Sequence, residues 1–70
     1  MDAYSIHVFY TDTLNGWAVT ILDENEFQIG EADYTYRKAD AINIAKRHGL
    51  TTHIFGRRTG LHQRTIDAPA

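Results

Sequence analysis

The side chains of this chain with the means to do chemistry are four histidines, one serine and a carboxylate cluster at Asp23, Glu24 and Glu26; there is no cysteine. Nucleophilic catalysis needs a hydroxyl or thiol beside an oriented base. The lone Ser5 stands in an alternating, strand-like stretch with no strained turn around it, so a hydrolase is not expected. The three carboxylates crowd a segment that reads as a turn, where water keeps acids ordinary and no pocket is implied. Gly56 to Gly60 encloses Arg57 and Arg58 where a phosphate loop needs bare backbone N–H groups. No catalytic residue is therefore assigned, and the protein is read as non-enzymatic.

The histidines are the remaining chemistry. If the turn after Phe55 occupies positions 56–59, then Phe55 faces Gly60, Ile54 faces Leu61 and His53 faces His62 across a hairpin, with His48 at a nearby helix end. Two or three imidazoles then approach one another. Their spacing matches no zinc signature and carboxylates are scarce in that half of the chain, so the rings are read as surface or half-buried side chains. No metal, other cofactor or small-molecule substrate is expected.

Charge separates the two halves of the chain. All seven basic residues lie between Arg37 and Arg64, and seven of the nine acidic residues lie within the first 33 positions. Two uses of this asymmetry are open. Lys46, Arg47, Arg57, Arg58 and Arg64 can present a basic surface to nucleic-acid phosphates. Against that, the formal net charge is -2, and an acidic half opposes a polyanion unless it faces away. The other use is pairing of basic against acidic segments, within one sheet or between two chains, which selects register and partner more than it adds stability.

These residues need elements to position them, and the sequence supplies them in order. Tyr4, Ile6, Val8 and Tyr10 alternate with Ser5, His7 and Phe9; after an Asn15-Gly16 turn, Trp17, Val19 and Ile21 alternate with Ala18, Thr20 and Leu22. Phe27 and Ile29 restart the pattern, but Ala32, Tyr34 and Tyr36 continue it on the opposite parity. That slip calls either for a one-residue bulge at Gly30 or for a strand that ends there. The period then becomes helical. Ala41, Ile44, Ala45 and His48 keep one stripe of a helix from Tyr36 to His48, with Thr35 as N-cap and Gly49 just past the last turn. Thr51 to Phe55 and Leu61 to Ile66 close the chain as a hairpin. The expectation is one α+β domain over residues 1–70, in β-β-β-α-β-β order. Its architecture is an antiparallel sheet of four to five strands with one helix packed on one face.

Several short motifs within this frame resemble a known bacterial family. Gly16-Trp17-Ala18-Val19, Lys38-Ala39-Asp40-Ala41-Ile42, Ala45-Lys46-Arg47-His48-Gly49, and His53-Ile54-Phe55-Gly56-Arg57 with Gly60 resemble the family known as domain of unknown function 2188. The likeness runs from about Tyr4 to Ile66. Family members usually carry a Thr where Arg37 stands, a helix about one turn longer, and an Asp where Thr59 stands. The resemblance implies a small bacterial α+β domain with no assigned activity and transfers no functional residues; Trp17 is its signature position, read here as an anchor beneath the helix.

Size sets the last constraint. A domain of seventy residues retains only about 3 to 5 kcal/mol from its own core, and without cysteines neither disulfides nor thiolate zinc sites can add to it. Association is the favoured supplement, as a homo-oligomer or with another protein. One helix covers only one face of a sheet that carries aromatics on both, so Phe9, Tyr10, Tyr34 and Tyr36 are the expected interface. No apolar run is long enough to span a bilayer, and Met1-Asp2-Ala3 lacks the basic start of a secretory signal. A cytoplasmic location is expected by default.

Overall fold

A computed structural model describes residues 2–69. The elements are β1 (Ser5–Thr11), β2 (Gly16–Leu22), β3 (Asp33–Thr35), α1 (Lys38–Arg47), β4 (Thr51–Phe55) and β5 (His62–Ile66). They form one five-stranded sheet in the order β3-β2-β1-β4-β5, with α1 on one face. The α+β class and the single covering helix are as expected. The pairing is not antiparallel throughout, however, because β1 and β4 run parallel from Ser5↔Thr51 to Val8↔Ile54. The path of the chain requires it. β1, β2 and β3 form an up-down-up meander, α1 returns the chain to the end where β1 starts, and β4 therefore sets off in the direction of β1.

Alternation decides what lies under the helix. Ile6 and Val8 of β1, Trp17 and Val19 of β2 and Ile54 of β4 form the core with Ala41 and Ala45 of α1. Small alanines on the helix let it sit close to the sheet, while Ile42, Ile44 and Leu50 fill its flanks. Tyr10, Ile21 and Ile66 border the same cluster. Trp17 is buried, with the Lys38 ammonium 5.3 Å above its ring and Tyr10 edge-on at 5.5 Å.

The helix is shorter than its periodicity suggests. Thr35 is still extended and paired with Trp17, so it cannot cap; its hydroxyl donates to the Arg37 carbonyl instead, and α1 starts at Lys38 behind Arg37 with no side-chain cap. At the other end the reading holds. Gly49 takes φ +68, with its N–H donating to the Lys46 carbonyl, and Lys46 and Arg47 occupy the last turn.

The segment before β3 also differs in detail. Leu22 bridges Gln28 and Val19 pairs with Asp33, so the register shifts by two residues across the bend at Gly30, not by one. An even shift preserves parity. Tyr34 consequently shares a face with Gln28 and Ala18, opposite to Ile29.

Asp23 also departs from its expected setting. Far from being a solvated turn acid, it is 2% exposed, and its Oδ1 accepts the N–H groups of Asn25 (2.9 Å) and Phe27 (3.0 Å) while Oδ2 has no partner. Glu24 and Glu26 remain exposed, Glu26 at φ 66. Among the described residues no helix is long and apolar enough to cross a membrane.

Candidate interaction face

The side of the sheet away from α1 is built by the other parity of every strand. β1 contributes Ser5, His7, Phe9 and Thr11, and β2 contributes Gly16, Ala18, Thr20 and Leu22. Tyr34 comes from β3, Thr51, His53 and Phe55 from β4, and His62 and Thr65 from β5. Among the described strand positions on this face there is no Asp, Glu, Lys or Arg. A sheet face left to water ordinarily alternates to charged and polar residues. This one carries rings, hydroxyls and small apolar groups; Ser5, Gly16, Ala18, Thr20 and Leu22 are already buried within the chain, and Phe9 at 36% and Tyr34 at 57% exposure are the large apolar side chains it leaves open.

Its centre is a chain of aromatic contacts. His7 lies 5.5 Å from His53 and 5.0 Å from Phe55, and His62 lies 5.5 Å from His53 and 5.8 Å from Phe55 between ring centres. The parallel register places His7 directly beside His53. Burial, followed by the neighbouring His53 and His62, holds the His7 imidazole below its ordinary value of 6.5, with the Glu26 carboxylate opposing. A shallow depression lined by His7, Phe9, Phe55, Gly56 and Gly60, and bordered by Tyr10 and Arg57, opens toward the hairpin tip.

The hairpin register differs from the expected one. Phe55 pairs with His62, Ile54 with Arg64 and His53 with Thr65, with an irregularity between Ile54 and Phe55. The turn is longer than four residues: Gly56 donates to the Leu61 carbonyl (2.9 Å), Gly60 takes φ +66, and Gln63 is the extra residue of the ladder. His53 and His62 nevertheless meet, diagonally. His53 Nδ1 is 3.4 Å from His62 Nε2, and the Thr65 hydroxyl lies 3.2 Å from the first and 2.8 Å from the second. His48 is not with them. It closes the far end of α1, where its N–H donates to the Ala45 carbonyl.

The four expected interface aromatics are divided by the fold. Phe9 and Tyr34 lie on the uncovered face; Tyr36 is 84% exposed in the link between β3 and α1. Tyr10 has the opposite parity and packs against the core on the helix side, where the Arg57 guanidinium stacks 4.4 Å from its ring and donates to its hydroxyl at 3.2 Å. His7 and Phe55 join the face without having been singled out from the sequence. Their parity with Phe9 and His53 was visible, but their contact exists only because β1 neighbours β4.

The five candidate phosphate-binding residues are likewise spread out. Arg57 and Arg58 occupy the β4–β5 turn, Lys46 and Arg47 the last turn of α1 just before β4 begins, and Arg64 the middle of β5 on the helix side. The first two pairs thus lie at opposite ends of the sheet. At the turn end they are joined by Arg37 and Lys38, since α1 starts where β3 stops; Asp23, Glu24 and Glu26 follow β2 at the other end. The Lys38 ammonium donates to Gln63 Oε1 at 2.7 Å. The turn end is therefore net basic, with Arg37, Lys38, Arg57 and Arg58 against Asp12 and Asp40, and the other end is net acidic although it also holds Lys46 and Arg47.

The chain matches no protein-family model, and no curated protein or solved structure is significantly similar to it. The likeness to domain of unknown function 2188 rests on the short motifs alone.

Proposed function

We propose that this chain is a non-enzymatic interaction module that self-associates, two copies laying their uncovered sheet faces together with strands running in opposite senses. The observation that carries this reading is the scarcity of charge: the described strand positions of that face hold histidines but no Asp, Glu, Lys or Arg, so a second identical face brings none of those four into like-charge contact. The end-to-end polarity supplies the orientation. In the antiparallel arrangement the basic end of one copy, with Arg57 and Arg58, stands over the acidic end of the other, with Glu24 and Glu26. Phe9, Phe55 and Tyr34 provide the apolar contact, and burying them adds to the small core of a seventy-residue chain. A bacterial origin and a cytoplasmic location belong to the same proposal, the first through the motif resemblance.

The alternative, a nucleic-acid-binding domain, is less well supported, because Lys46 and Arg47 are separated from Arg57 and Arg58 by the length of β4. Sedimentation equilibrium distinguishes the two. Self-association weakened at least tenfold by Phe55→Lys, and weakened by Arg57→Glu with Arg58→Glu but recovered on mixing with a Glu24→Lys, Glu26→Lys chain, is the expected result. A chain that stays monomeric at high concentration and is retained on DNA or RNA at low salt overturns it.

A further inference from the structure

On the uncovered face two imidazole nitrogens, His53 Nδ1 and His62 Nε2, lie 3.4 Å apart. We propose that these two nitrogens chelate a divalent late transition-metal ion, of the Zn2+ or Ni2+ class, within a single chain. The gap has the right size. Two metal–nitrogen bonds of about 2.05 Å that span 3.4 Å subtend about 112° at the metal, close to the tetrahedral angle.

In one combination of ring tautomers the hydrogen bonding around the pair leaves an acceptor for a cation. When both nitrogens carry lone pairs, the Thr65 hydroxyl at 3.2 and 2.8 Å has one proton and can satisfy only one of them. A cation between the rings satisfies both at once. His53 stands on β4, which is paired on both sides, and the bulge at Gln63 in the edge strand β5 brings His62 diagonally toward it.

The donor set selects the metal. Two imidazoles without a carboxylate favour zinc, nickel or copper over magnesium or calcium. Among the described residues no three His, Cys, Asp or Glu side chains form a metal-holding group, so this is a two-nitrogen site whose other positions go to water, with the Thr65 hydroxyl bordering one of them. It is complete within one chain and does not depend on self-association.

Zinc titrated into the dilute full chain, followed by calorimetry and by imidazole NMR signals, tests the assignment. One ion per chain is expected, with the rings of His53 and His62 shifting first and His48 unmoved. His53→Gln and His62→Gln each weaken binding about tenfold or more, whereas His48→Gln and added magnesium change nothing. His62 is exposed, so its replacement leaves the fold intact, which the far-UV spectrum checks. Equal movement of His48, unchanged affinity in His62→Gln, or no binding up to roughly 1 mM zinc overturns the proposal.

Discussion

Replacing Asp23 by alanine removes the one side chain that organises the turn after β2. Its carboxylate accepts two backbone N–H groups from a site 2% exposed, and the same turn is closed by the Asp23 N–H to the Phe27 carbonyl and the Glu26 N–H to the Asp23 carbonyl. Hydrogen bonds to a charged acceptor contribute about 1.5 to 3 kcal/mol each, and a buried oxygen left unpaired costs about 1 to 3 kcal/mol. Asp23 has two of the first and, at Oδ2, one of the second. The net loss for Asp23→Ala is therefore about 2 to 3 kcal/mol, most of the stability available to a chain of this size. Asp23→Asn retains an oxygen for both N–H groups and exchanges the unpaired Oδ2 for an equally unpaired amide NH2, so its loss relative to the parent is about 1 kcal/mol of charge assistance. Urea unfolding followed by the fluorescence of buried Trp17 measures both, and a constant slope shows that only stability has changed. If Asp23→Ala falls within about 0.5 kcal/mol of the parent, the turn does not depend on this carboxylate; an Asp23→Asn chain as damaged as Asp23→Ala would place the loss in the charge and refute the reading that an oxygen accepting the two N–H groups is what matters.

Ile54, fully buried at the centre of β4, loses about 1 kcal/mol as valine and about 2 to 5 kcal/mol as alanine; the alanine variant is expected to be largely unfolded by circular dichroism. Two glycines separate two kinds of constraint. A Cβ at Gly49 meets nothing within 4 Å, so Gly49→Ala carries only the left-handed backbone penalty of about 1 to 2 kcal/mol. At Gly16 the added carbon lies 2.7 Å from the Thr35 carbonyl oxygen, so Gly16→Ala is expected to loosen β3 and speed amide exchange there. His7, held below its ordinary 6.5 by burial, binds its proton more readily in the unfolded chain. Stability is thus full above pH 6.5 and falls as pH drops through that value toward the folded one. A His7→Gln chain should lose this part of the slope, and an unchanged denaturation profile between pH 7 and 5 would contradict it.

The order of the elements was legible because it depends on local periodicity. Alternating apolar residues in the first two strands, the Ala41–Ala45 stripe and the glycine after the helix each act within a few residues, and each lies where the pattern put it. So was the approach of His53 to His62, since a hairpin brings near neighbours together. The helix start was misread because Thr35, a good cap by type, is held extended by Trp17 on another strand. Asp23 was misread for a similar reason, since burial comes from the surrounding fold and not from the residue's polarity.

The sequence by itself determined that this chain makes one helix and a set of half-buried strands, because amphipathic period and turn chemistry are written in consecutive residues. Only the tertiary structure decided that β4 lies beside β1 and runs parallel to it, which sets His7 against His53 and Phe55. It also decided that the basic residues divide between the two ends of the sheet and that the described strand positions of one face hold no Asp, Glu, Lys or Arg. Those outcomes depend on which strands become neighbours across distant stretches of chain, and no local pattern encodes that choice.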